Sequence, residues 1–259
     1  MKTETPADAD LIVQKLPSDM GIHRIDRKGT LKAPEKILDG YIFDQTVMVD
    51  EVFPDEFDLE NNHRRIEFNT EEMLDYKKPI LSIGGDHSVS FGVIKTLKRE
   101  NPDMHLVWLD AHLDLKEKVG NHISHDVVVL ELLKYGFSDE EIWFVGTSRI
   151  DDDENDFLKN SNFNIYRSDE IDKFLREFNS NEHPVYLSTD IDVLDESEAP
   201  GTGYLDGELS VSQVEKIIET VNPNHADLVE VAPPFDINGK TLENARKIVS
   251  KLADSVSDE

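Results

Sequence analysis

From about residue 78 onward, short apolar runs alternate with longer amphipathic stretches. The runs Ile80–Ile83, His105–Leu109, Ile142–Val145, Asn164–Tyr166, Val185–Ser188 and Leu228–Val231 are short, apolar and often β-branched, the pattern of strands buried on both faces. Val89–Arg99, Asp126–Tyr135, Ile171–Phe178, Val211–Val221 and Leu242–Val256 repeat their apolar residues at helical spacing. Ser210 stands three residues before Gln213, a capping-box signature for the fourth of these helices, and Thr241 is placed to cap the last. This alternation predicts an α/β fold with a mostly parallel sheet covered on both sides. Residues 1–75 read less clearly: Thr46–Val49 has the character of a strand and Pro54–Asn62 that of a loop. With no internal repeat, low-complexity segment or Pro/Gly/Ser linker, the expectation is a single domain over residues 1–259.

Where the apolar runs end, acids and histidines follow. In open parallel sheets ligands bind beyond the carboxyl ends of the strands, so these residues are the first candidates for chemistry. Ile80–Ile83 leads into Gly84-Gly85-Asp86-His87-Ser88, His105–Leu109 into Asp110-Ala111-His112-Leu113-Asp114, and Val185–Ser188 into Thr189-Asp190-Ile191-Asp192. Leu228–Val231 carries Glu230. Side chains at i, i+2 and i+4 of an extended segment share a side, so Asp110, His112 and Asp114 are expected to converge, as are Asp190 and Asp192. Carboxylates about 4 Å apart repel by a few kcal/mol at an effective dielectric near 20, so such a group requires cations. Two imidazoles among four carboxylates, without sulfur, suit Mn²⁺ best, with Co²⁺, Ni²⁺, Zn²⁺ or Fe²⁺ as alternatives. Paired divalent ions lower the pKa of a shared water, and the implied reaction class is metal-assisted hydrolysis.

Composition narrows the partners. The 27 Lys and Arg against 55 Asp and Glu give a net charge of −28, which repels nucleic acid and anionic membrane surfaces and attracts small cations and metals. Much of the acid lies in Asp44–Asp75 and Ser138–Phe157, both read as solvated surface. The absence of cysteine excludes disulfides, thiolate metal sites and cysteine nucleophiles. No basic-then-apolar leader pattern and no run of about 18 apolar residues is present, so a cytoplasmic protein is expected.

Four ordered motifs, Gly84-Gly85-Asp86-His87-Ser88, Asp110-Ala111-His112-Leu113-Asp114, Asp190-Ile191-Asp192-Val193-Leu194-Asp195 and Ala199-Pro200-Gly201-Thr202-Gly203, resemble the signatures of the ureohydrolases, the arginase, agmatinase and formiminoglutamase family. The resemblance spans about residues 78–250, with a weaker echo in Pro17–Ile37. It implies a three-layer α/β/α fold around a parallel sheet of about eight strands, holding two Mn²⁺ per chain. By motif position, His87, Asp110, Asp114 and Asp190 would hold one ion and Asp110, His112, Asp190 and Asp192 the other. Hydroxide shared by the ions would attack a guanidinium carbon and release an amine and urea, with Asp114 handling the proton. Gly120-Asn121-His122-Ile123-Ser124-His125 resembles the loop whose last histidine shuttles protons, which makes His125 a catalytic candidate. Glu230 resembles the carboxylate that pairs with the guanidinium; a Glu inside an otherwise apolar strand is costly unless paired, which points the same way. The assembly implied is a homotrimer or homohexamer.

The chain also departs from the family pattern. Glu196 replaces a usual Pro, Tyr204-Leu205-Asp206-Gly207-Glu208 replaces a Thr-Pro then Gly-Gly pattern, and Asp126 follows His125 where small residues are common. Glu230–Asp236 and Asp110–Leu115 are more similar to the agmatinase branch, and acidic surroundings favour the dication agmatine over arginine. Lys116 and Lys118 fall in the loop that would meet the substrate tail and are expected to face solvent. The expected activity is hydrolysis of agmatine to putrescine and urea. Arginase, guanidinobutyrase or formiminoglutamase activity, a non-catalytic homologue, and a deacetylase-type hydrolase with a single zinc are the alternatives.

Overall fold

The apolar runs pair into one sheet whose strands are all parallel. The computed structural model describes residues 1–23, 25–55, 57–179 and 183–257. Its strands are β1 (Lys2–Thr3), β2 (Leu11–Leu16), β3 (Val47–Glu51), β4 (Ile80–Gly84), β5 (His105–Leu109), β6 (Ile142–Thr147), β7 (Asn164–Arg167), β8 (Val185–Asp190) and β9 (His225–Val229), in the order β1-β3-β2-β4-β9-β8-β5-β6-β7. The sheet thus has nine strands where about eight were expected, and β1 to β3 come from the segment whose pattern was least legible. The last strand spans 225–229 instead of 228–231, which moves Glu230 out of the strand and into the turn that follows.

The helices are α1 (Ala33–Leu38), α2 (Leu59–Leu74), α3 (Val89–Glu100), α4 (Val128–Tyr135), α5 (Asn155–Leu158), α6 (Ile171–Glu177), α7 (Val211–Val221) and α8 (Lys240–Ser257). Residues of α1, α6, α7 and α8 pack on one face of the sheet through Ile37, Phe174, Val214, Ile218, Ile248 and Leu252. Residues of α2, α3 and α4 pack on the other through Ile66, Val93, Ile94, Leu97, Val128 and Leu132. In β5, Val107 and Leu109 face the first layer and Leu106 and Trp108 the second, so the fully buried part of this parallel strand is apolar at every position. The expected loop Pro54–Asn62 is shorter than anticipated: its residue Glu56 lies outside the described residues, and α2 begins at Leu59, capped by Asp58, whose side chain accepts from Asn61 N–H at 3.0 Å. Ser210 and Gln213 form the expected capping box of α7. Among the described residues, no helix is long and apolar enough to cross a membrane.

Candidate metal centre

The residues singled out at strand ends come from four neighbouring strands, β4, β9, β8 and β5, at the middle of the sheet. His87 follows β4 through a Gly84-Gly85 turn that presses on the chain beside it: a Cβ on Gly85 would stand 1.8 Å from Ser18 O, so only glycine fits. Asp110 is the first residue beyond β5 and Asp190 the last of β8. The convergence does not come from extended strand, as the spacing suggested. Beyond β5 the chain turns: Asp110 Oδ1 accepts His112 N–H at 2.7 Å, and Asp114 is left-handed with φ 52. Asp192 lies in a 3-10 turn over Ile191–Val193, where Asp190 Oδ1 accepts its N–H at 2.8 Å. Short Asp side chains satisfy these turn amides while keeping a second oxygen for other partners.

The predicted residues meet as two overlapping groups. His87, Asp110 and Asp190 form one, and Asp110, His112 and Asp192 the other, each with ligand-type atoms within 4.8 Å of one another. His87 Nδ1 lies 3.2 Å from Asp110 Oδ2 and 3.1 Å from Asp190 Oδ2; His112 Nδ1 lies 3.4 Å from Asp110 Oδ1 and 3.1 Å from Asp192 Oδ2. Asp114 joins neither group as tightly, with Oδ2 3.5 Å from His87 Nδ1. His87 Nδ1, Asp110 Oδ2 and Asp192 Oδ1 are buried without a hydrogen-bond partner. Bare lone pairs of hard oxygen and imidazole nitrogen aimed at one another are what a divalent cation of the manganese type requires, and the donor set fits it.

Electrostatics leads to the same place. Burial, then Asp192 and Asp110 beside it, raise Asp190 well above the carboxylate range, and burial with Asp110 does the same to Asp114. Burial and the neighbouring acids push Asp192 up to about 6 against the pull of His112. Burial opposes charge on His87 and His112, but the surrounding carboxylates outweigh it and raise both. The cluster therefore holds protons wherever it lacks other positive charge.

Glu230 and His125 stand beside it. Glu230 is left-handed with φ 62, its N–H donates to Gly85 O at 2.8 Å, and its Oε1 accepts His87 N–H at 2.8 Å. His125 is buried, with Nδ1 3.3 Å from Glu230 Oε1. Burial pushes His125 down, but Glu230 and then Asp114 and Asp126 overcome it and raise it from 6.5 to about 9. A raised histidine contributes stability that is complete below its unfolded pKa and is lost as pH rises through the folded value, here between 6.5 and about 9. The shift corresponds to roughly 3 kcal/mol. We predict that in the metal-free chain the stability gap between wild type and His125→Asn, read by urea denaturation, shrinks by about that amount from about pH 6 to about pH 10. A gap independent of pH would mean that His125 and Glu230 do not pair as ions.

The mouth of the site is lined by His112, Asp114, Lys116, Asp126, Arg149, Asp151, Glu154 and Tyr204. Lys116 and Lys118, expected to face solvent, are instead half-buried and drawn into ion pairs, Lys116 with Asp151 at 2.5 Å and Lys118 with Glu131 at 2.8 Å. Arg149 pairs with Asp151 at 2.8 Å and Asp206 at 3.0 Å. Glu154 accepts from Leu115 and Asp151 N–H groups and braces the turn that carries Asp114. Tyr204 sets its ring centroid 4.8 Å from His112 and 6.1 Å from His125. Sequence reasoning missed the roles of Arg149, Glu154, Asp206 and Asp227. Only Asp227 carried a signal, as a lone acid in an apolar strand, where it accepts from Ser188 and Tyr186 hydroxyls.

A profile of the arginase family matches residues 9–254. An agmatinase of Bacillus anthracis is 33% identical over 195 residues, 72% of this chain and 67% of that protein. An arginase of Staphylococcus aureus is 31% identical over 197 residues, 65% of each chain. Among solved structures, the agmatine ureohydrolase of Thermoplasma volcanium superposes with a TM-score of 0.85 at 25% identity, covering 98% of this chain and 92% of that one. The proclavaminate amidino hydrolase of Streptomyces clavuligerus shares the fold, with a TM-score of 0.87 at 24% identity over 99% and 94% of the chains.

Proposed function

The chain belongs to the arginase family, and from that premise we propose that it is a binuclear, manganese-dependent amidinohydrolase that cleaves agmatine to putrescine and urea. The observation that carries the reading is the pair of overlapping ligand groups sharing Asp110, with Glu230 beside them. His87, Asp110, Asp114 and Asp190 would hold one ion and Asp110, His112, Asp190 and Asp192 the other. When bound, such a pair supplies Lewis acidity and the means to ionise water near neutral pH.

The protein's own groups do the rest. Glu230 offers its carboxylate to the cationic guanidinium and orients the C–N bond to be broken. Asp114, a member of the assigned ligand set and therefore ionised when the ions are bound, would offer a carboxylate oxygen beside the reacting centre to take up a proton. His125 holds a proton at neutral pH, and its Nε2, buried without a hydrogen-bond partner, is the atom from which a departing amine takes it. Tyr204 covers His112 and His125 and limits the access of water.

The tail of the substrate would lie along the mouth. Its two cations, Lys116 and Arg149, are already bound to Asp151 and Asp206, so neither is free to grip an α-carboxylate. Asp114 apart, the mouth still sets Asp126, Asp151 and Glu154 against these two cations, which favours a tail that ends in an amine. With two ions bound, kcat/KM for agmatine is expected to exceed that for arginine, guanidinobutyrate and formiminoglutamate by at least about tenfold, equivalent to roughly 1.4 kcal/mol. Urea release measures the guanidino compounds and formamide release the formimino one. Equal rates on arginine would overturn the reading of the tail. A fully loaded protein inert on all four would instead support a non-catalytic homologue.

A further inference from the structure

We propose that Asp206 is a positioning residue for the metal centre: its carboxylate holds His112 by Nε2 so that Nδ1 faces the acid cluster, and Arg149 holds Asp206 in place. The inference rests on the two-ion reading above and deepens it. Asp206 belongs to the segment Tyr204–Glu208 that departs from the family pattern, so the resemblance assigns it nothing.

The two histidines of the cluster face the same requirement. A neutral imidazole has one N–H and one lone pair, and the acceptor placed on one nitrogen decides which nitrogen remains for a cation. For His87 the acceptor is Ser188 Oγ, 2.9 Å from Nε2. Ser188 in turn donates to Asp227 Oδ1 at 2.8 Å, and this chain is buried between β8 and β9. For His112 the acceptor is Asp206 Oδ2, 3.3 Å from Nε2. A carboxylate only accepts, so it fixes the proton on Nε2 and leaves Nδ1, 3.1 Å from Asp192 Oδ2, free for the ion.

Asp206 is itself held at two points, and the second of them is anchored in turn. Its backbone carbonyl accepts from Ser148 Oγ at 2.6 Å, its carboxylate pairs with Arg149 Nη1 at 3.0 Å, and Arg149 Nε is anchored on Asp151 at 2.8 Å. Ser148 and Arg149 also donate their backbone N–H groups to Ala111 O, at 3.1 and 3.0 Å, directly beside His112. The end of β6, the turn after β5 and the loop at Asp206 thus form one hydrogen-bonded unit around a single imidazole. Its support is partly exposed, whereas that of His87 is in the core.

Titration of the metal-free chain with Mn²⁺, followed by calorimetry and by metal analysis after dialysis, tests this. Wild type is expected to take up two ions. Asp206→Ala is expected to weaken one of them by about 10- to 100-fold and to leave the other unchanged, which also verifies that the variant is folded. Asp206→Asn keeps an oxygen that accepts from Nε2–H and is expected to stay within about threefold of wild type. Arg149→Gln is expected to weaken the same ion by a smaller factor. Two ions bound at wild-type affinity by Asp206→Ala would overturn the proposal while leaving the metal reading intact. Equal losses in the Ala and Asn variants would overturn it too, because charge and not orientation would then be the cause. A wild-type chain that binds one ion or none overturns the two-ion reading itself, and Asp206 with it.

Discussion

Asp110→Ala is expected to lower kcat/KM for agmatine by at least about a thousandfold and to leave fewer than two Mn²⁺ per chain. Asp110 is common to both geometric groups and, with Asp190, is assigned to both ions, so its loss opens both together. Its Oδ2 has no hydrogen-bond partner in the folded chain, and its Oδ1 accepts His112 N–H at 2.7 Å. Alanine therefore removes a ligand and also unties the turn that carries His112. Asp110→Asn separates these effects. Its amide oxygen still accepts the N–H and keeps the turn, but an uncharged amide would be a poor substitute for a carboxylate as a ligand of a divalent ion. The Asn variant should match wild type in circular dichroism and still bind manganese poorly. Undiminished urea release with two ions bound to Asp110→Asn would remove the shared acid from the mechanism.

The strands that carry the site were legible where a buried parallel strand is apolar up to its end, so that the acids that follow stand out: Asp110 after residues 106–109 is the clearest case. Where polar residues are buried, that signal fails. Helix α2 buries Asn62, His63 and Thr70 together with Leu59, Ile66 and Met73, so half of its inward stripe looked like surface. Strand β2 buries Gln14, whose amide donates to Asn69 and Thr70 and accepts from Ser82, a network that no local pattern announces. The position of Glu230 depended on where β9 stops, and one left-handed residue moved it from strand to turn. The partnership of Arg149 with Asp206 spans 57 residues and comes from topology alone, which is why an exposed arginine in an acid-rich segment gave no sign of it.

Glu230→Gln is the second substitution with a large expected effect, and its signature differs from that of Asp110. Gln is nearly isosteric with Glu, and its Oε1 can still accept His87 N–H, so the turn after β9 and the uptake of manganese should survive. What is lost is the negative charge offered to the guanidinium in a buried site. Breaking a buried, hydrogen-bonded ion pair by neutralising one partner costs about 3–5 kcal/mol, so kcat/KM is expected to fall by roughly a thousandfold with two ions still bound. His125 loses the partner that raises it to about 9, so its titration should move down toward 6.5. The alkaline limb of whatever activity remains should then begin at lower pH than in wild type, because His125 gives up its proton earlier. Glu230→Asp keeps the charge but shortens the side chain, and is expected to lose the contact with His87 N–H and most of the activity with it. Activity within about tenfold of wild type in Glu230→Gln, with an unmoved alkaline limb, would mean that another group receives the guanidinium and that Glu230 serves only the turn.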